Sequence, residues 1–343
     1  MNYYEKLNKA IKNTLEDRHF SDQLHYFDEV ALLAKIIIEN TPSLVKEEYS
    51  SFVPLDTSLA IVGDFFHGIK KEYATEFQAL LQEKSDENSV SFHKIEKNEK
   101  DCSLVNDKGE VKIDYTKMLN DSFTIAHEMT HKFSQEKNHH SIIKQFLGEM
   151  PTITMEFLLE DYLLEHTDYK EEEIRIRKKN RLLETYDDAG AVLLENTLLK
   201  LYQQNNGQIT QDVLLHYLDS MDKNSKLYEL FSTRGEHYLN EIVENGTLLF
   251  AKRERYVIGT LCASCFHQKM KNQEANGEEL SYIMAVLGHS NNTTEEDLKA
   301  LSKLDIPLLK NGQVDLSEET RLQLASAYQK ESEEFSLSKK TFK

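Results

Sequence analysis

Helix breakers are scarce in this chain. Pro42, Pro54, Pro151 and Pro307 are its four prolines, and twelve glycines are spread over 343 residues. With long stretches rich in Leu, Glu and Lys, this predicts a mainly helical protein. Cysteine is nearly as rare. Cys102, Cys262 and Cys265 are too few for a disulfide framework and point to a reducing compartment. No apolar run approaches the roughly 18 residues needed to cross a bilayer, and no secretory hydrophobic segment follows "MNYYEKLNKAIKNTLEDRHF". These absences predict a cytoplasmic protein with no membrane-spanning segment, and a protein exported without a leader would share them. Basic residues are also in deficit: 41 Lys and Arg against 59 Asp and Glu leave a formal charge of −18. Such a surface repels phosphate backbones and anionic lipid head groups, which argues against nucleic-acid and membrane partners.

What remains is ample for a core: 39% of residues are apolar and 29% charged, the balance of a globular chain of one large or two modest domains. Two helices, "YYEKLNKAIKNTLE" and "LHYFDEVALLAKIIIEN", make residues 1–50 an N-terminal helical segment. "TPSLVKEEYSSFVPLD" interrupts, and Asp56 or Thr57 then caps one long amphipathic helix, "SLAIVGDFFHGIKKEYATEFQALLQEK". Alternation in "NSVSFHKIEKN" and "CSLVNDKGEVKIDYT", with turn residues Asn106 to Gly109, predicts a small sheet. From Leu119 the pattern is helical almost to the end, with Asn120 and Asp121 as N-cap candidates. "GQITQDVLLHYLDSM" and "NGQVDLSEETRLQLASAYQKESEEF" each read as a loop followed by a helix. Residues 51–335 are expected to form one catalytic domain, and 336–343 a frayed tail.

The stretch "DSFTIAHEMTHKFSQ" carries the chemistry. On a helix, His127 and His131 lie one turn apart on one face and can aim two imidazole nitrogens at one metal ion. Glu128 is rotated about 100° from His127, too far to ligate but placed to act as a base. The apolar "FTIA" before the motif predicts a buried helix, where two histidines need partners. A third ligand is still required. Phe133 and Lys137 exclude the extended metzincin pattern, leaving the carboxylates of "LGEMPTITMEFLLEDYLLE". Glu149 and Glu156 are seven residues apart and share a face. One of them can ligate while the other orients a histidine.

Other motifs carry less. Cys262-x-x-Cys265 lacks a second pair and reads as buried helical thiols. Asn138-His139-His140 reads as a solvated loop. "KEEEIRIRKKNR", Lys170 to Arg181, mixes signs and reads as a solvated helix face.

"IDYTKMLNDSFTIAHEMTH" and "GEMPTITMEFLLEDYLLE" resemble the active-site helices of the thimet oligopeptidase / oligopeptidase F family of zinc peptidases. Fainter likeness runs from about residue 50 to 330, the catalytic part of that family. The resemblance implies a mainly α, zincin-like metallopeptidase domain with a small β-sheet beside the HExxH helix. It implies one zinc ion per chain on His127, His131 and Glu149, with Glu156 as the family's second acidic residue. Glu128 becomes the general base and short peptides the substrates. The loop between the two helices is shorter than in the family, and by loop length alone Glu156 would suit the ligand position better. The family's late helix supplies Tyr and His donors to the oxyanion. Here "LLFAKRERYVIGTLCASCFHQ" keeps Tyr256, but Ile258 and Thr260 stand where tyrosines are expected. His237 and Tyr238 are possible substitutes. An alternative is a catalytically impaired relative that binds peptides or a protein partner, and a metal-free helical scaffold is the third reading.

Overall fold

The computed structural model describes residues 2–17, 24–42, 46–82, 90–96, 99, 102–106, 108–134, 142–288, 293–304, 306–311 and 313–337. Asn138, His139 and His140 therefore lie outside the described residues, as do 338–343 of the expected tail. The protein is mainly helical with a small sheet. Its contacts divide it into two units, Met1–Ser43 with Leu182–Ile258 and Leu316–Lys343, and Leu44–Arg181 with Gly259–Asp315. Residues 51–335, expected as one domain, are thus shared between both units.

The second unit begins with α3 (Leu55–Ile69) and α4 (Lys71–Gln82). The sequence predicts one continuous helix here, capped by Asp56 or Thr57. The chain instead turns at Lys70, which is extended at φ −163°, and Pro54 occupies the N-cap without a side-chain cap bond. Tertiary packing accounts for the break. Folding α4 back brings Phe77 within 5.5 Å of Phe66, centroid to centroid, burying both. Lys70 Nζ then reaches Glu278 Oε2 at 2.7 Å.

The predicted sheet follows: β1 (Val90–Lys94), β2 (Leu104–Val105) and β3 (Val111–Tyr115), in the order β1-β3-β2. β2 and β3 are antiparallel, while β1 runs parallel to β3. Gly109, at φ +77°, occupies the left-handed conformation the β2–β3 turn requires.

Beside this sheet stands α5 (Asn120–Ser134), the HEMTH helix. Asp121 does not cap it. Its carboxylate turns back to accept N–H bonds from Thr116, Lys117 and Met118, holding the tight turn in which Lys117 adopts φ +63°. Next come α6 (Ile142–Leu147), α7 (Glu149–His166) and α8 (Glu171–Ile174). α9 (Ile176–Gln204) and α12 (Phe250–Lys271) each contain a boundary between units. α13 (Gly277–Gly288), α14 (Thr294–Leu301) and a two-stranded ribbon of β4 (Leu309–Lys310) and β5 (Gln313–Val314) complete the second unit. That ribbon interrupts what the sequence predicts as helix and loop. Its residues are too few to show a strand periodicity.

The first unit contains α1 (Tyr3–Glu16), α2 (Phe27–Asn40), α10 (Gln211–Ser220), α11 (Lys226–Asn245) and α15 (Glu318–Leu337), with its parts of α9 and α12. α1 spans the predicted segment, started by a reciprocal capping box between Asn2 and Glu5. Thr210 caps α10 as its loop-then-helix pattern implies. Leu7, Ile11, Leu33, Phe250 and Tyr328 are fully buried in this unit. Among the described residues, no helix is long and apolar enough to cross a membrane.

Candidate metal centre

α5 is buried from Asp121 to Thr130, as the apolar run before the motif requires. It packs on α3, α7 and β3. Phe133 stacks on Tyr73 with ring centroids 5.1 Å apart, and Lys132 Nζ donates to the Gly109 carbonyl at 2.7 Å. The helix carrying the motif is thereby held by an aromatic cluster on one side and the hairpin turn on the other. Thr130 bonds its hydroxyl to the Ala126 carbonyl at 2.7 Å.

His127 Nε2 and His131 Nε2 are 3.2 Å apart. Glu149 Oε2 lies 3.6 Å from the first and 3.5 Å from the second. A tetrahedral zinc with donors at about 2.0–2.1 Å places those donors about 3.4 Å from one another. The three atoms form that triangle, so two imidazoles and a carboxylate can hold a metal ion here. Glu149 is 2% exposed and His131 15%, so the group is least enclosed at His131. Glu128, on the same turn, is buried.

Glu156 occupies a different place. Its Oε1 is 2.8 Å from His127 Nδ1, the ring nitrogen opposite the triangle. Glu149, not Glu156, closes the donor set, while Glu156 faces the back of the first histidine. Burial favours the neutral form of Glu156 more than any other single influence. Arg177, Arg181 and the His127 bond together overcome it, and hold the carboxyl well below the usual carboxylate range. As an anion it can only accept, so His127 donates through Nδ1 and its Nε2 is the nitrogen turned to the other two donors.

Here the expected solvated face at Lys170 to Arg181 is corrected. Arg177 Nη2 is 2.6 Å from Glu156 Oε1. Arg181 forks onto the same carboxylate, Nη2 to Oε1 at 2.8 Å and Nε to Oε2 at 3.1 Å. Lys178 lies 3.1 Å from Glu160, both 1% exposed. The charge pattern hides this, because the acidic partners come from another helix. In the sequence, Ile174 and Ile176 set among the cations mark the buried side.

Gly259 also shapes the centre. A β-carbon there would lie 2.9 Å from the β-carbon of Glu149, so α12 can approach the start of α7 only with glycine at this position. Nothing in the sequence pairs the two.

Tyr256, His237 and Tyr238 belong to the first unit. Tyr256 is half-buried and its hydroxyl accepts from Arg255 Nη2 at 3.0 Å. His237 is exposed, with Glu241 3.8 Å away. Tyr238 is buried, its hydroxyl 3.4 Å from Asp187, and burial, then Asp187, pushes its phenol up. Ile258, Thr260, Cys262 and Cys265 are all buried. For the two cysteines this is the expected helical core role.

No model of a known protein family matches the chain, and no curated protein matches it in sequence. In fold it is similar to a solved structure, that of a "putative peptidase" from Chlamydophila abortus, 19% identical, with a TM-score of 0.54. The two share a fold. The match covers 96% of this chain and 55% of the other, so the chain spans little more than half the length of that neighbour.

Proposed function

We propose that this protein is a zinc-dependent metallopeptidase of the thimet oligopeptidase / oligopeptidase F kind, hydrolysing peptide bonds in short peptides. The observation that carries the reading is the donor triangle of His127, His131 and Glu149 with Glu128 on the same helical turn. The shared fold with the Chlamydophila abortus protein supports it.

His127 Nε2, His131 Nε2 and a Glu149 oxygen would hold the ion. When bound, zinc supplies Lewis-acid polarisation of a carbonyl and makes water more acidic, to a pKa of about 7. Glu128 takes a proton from the water that attacks the peptide carbonyl. As the new C–O bond forms and the C–N bond breaks, Glu128 returns that proton to the leaving amine. Glu156 keeps the His127 ring turned through its Nδ1. The resemblance gives the oxyanion donor's role to Tyr256, with His237 and Tyr238 as alternates. An extended peptide would pair by its backbone with an edge strand of the β1–β3–β2 sheet, a mode that tolerates many sequences.

A quenched-peptide library, assayed with and without a chelator, tests this directly. Hydrolysis should vanish on chelation and return with zinc. Glu128→Gln should keep about one zinc per chain and lose cleavage, while His127→Ala should lose both. Cleavage that survives Glu128→Gln would refute the mechanism. Buried Ile258 and Thr260, standing where the resembled family has tyrosines, favour a second reading as an impaired, peptide-binding relative. That reading predicts zinc uptake and peptide binding without turnover.

A further inference from the structure

Arg181, which is buried, and Arg177, which is half-buried, are charges to which hydrolysis assigns no role. They stand four residues apart on one face of α9 and converge on Glu156. Arg181 grips side-on through Nε and Nη2, and Arg177 closes on Oε1. A planar two-point grip fixes the plane of the carboxylate as well as its position. The oxygen so fixed, Oε1, is the one 2.8 Å from His127 Nδ1. Ring and tautomer of His127 are then set together, and Nε2 is turned toward His131 and Glu149.

We propose that Arg177 and Arg181 are positioning residues for the metal: through Glu156 they lock the His127 ring, and so set the affinity of the centre for a divalent cation. The inference rests on reading His127, His131 and Glu149 as the metal donors.

Charge and geometry oppose one another here. Two guanidinium groups near a cation site repel the cation. Acting through charge alone, their removal would tighten zinc binding. Acting through Glu156, their removal loosens it. Lys178 and Glu160 provide a control, being a buried pair between the same two helices at 3.1 Å, with Glu160 one turn along from Glu156.

The experiment is competition for zinc against a coloured chelator, using the full chain. Arg177→Met and Arg181→Met should each bind zinc about 10–100-fold more weakly. Arg181→Lys, which keeps the charge but loses the fork, should fall between these and wild type. The double variant Lys178→Met/Glu160→Gln should bind as wild type does. Unchanged or tighter binding in the arginine variants, or an equal loss in the control, overturns the proposal. A second readout uses metal-free protein, where imidazole 15N shifts report the tautomer. Wild type should show His127 protonated at Nδ1. Arg181→Lys, which keeps a buried cation should Arg181→Met fail to fold, should shift towards a mixture. Wild-type protein that takes up no zinc would sink the metal-centre reading by itself. The tautomer spectrum still decides the arginines' role, which fails if the variants keep wild-type ring signals.

Discussion

A β-carbon on Gly259 would stand 2.9 Å from the β-carbon of Glu149 and 3.3 Å from its carbonyl carbon. These are near-backbone atoms that cannot swing aside. Gly259→Ala should therefore push the first turn of α7 and cost about 1–3 kcal/mol of stability. The Glu149 carboxylate should move off the two histidines, and zinc affinity should fall with it. Thermal unfolding and zinc titration of the variant measure both; wild-type values in each would show that the helices have slack.

Tyr256→Phe should lower kcat about 10²–10³-fold, the usual loss for an oxyanion donor, at unchanged zinc content. His237→Ala and Tyr238→Phe in the same assay rank the other candidates. Lower kcat at constant zinc marks a donor. Lower thermal stability alone marks a packing residue, the outcome that the burial of Tyr238 favours. Full activity in Tyr256→Phe would remove it from the mechanism.

Two buried glutamates in the first unit give stability a pH dependence. Burial raises Glu254 to about 8, with the neighbouring Glu195 adding to it. Burial also raises Glu195 to about 7 against the Leu249 N–H it accepts. Unfolded, both titrate near about 4.3. Between those values the folded chain binds more protons, so stability falls as pH rises from about 4.3 through about 8 and levels above. The melting temperature should drop between pH 6 and pH 8.5, and Glu254→Gln should flatten that drop. Parallel profiles for variant and wild type would exclude the pair as its source.

Lys178→Met leaves Glu160 buried beside an apolar side chain and should cost about 3–5 kcal/mol. Adding Glu160→Gln should recover much of it, because the buried carboxylate charge that Lys178 balances is then gone. Urea unfolding of the single and double variants checks this, and a single variant as stable as wild type would show that the pair is hydrated after all.

Sequence alone was enough for whatever depends on a few consecutive residues. It determined the helical class, the α1 helix, the hairpin turn at Gly109, and the shared face of His127 and His131. These follow from backbone geometry and side-chain spacing within one or two turns. Tertiary structure decided what depends on partners distant in the chain. It broke the helix at Lys70, because Phe77 gains a buried contact with Phe66 by folding back. It put Glu149 at the front of the histidines and Glu156 behind one of them, a choice that spacing on α7 leaves open. It buried Lys178 and Arg181 and half-buried Arg177, which look solvated in isolation, because α7 brings two carboxylates to meet them. A charge pattern records each side chain's own preference for water, whereas only the assembled helices supply the counter-charges that outweigh it.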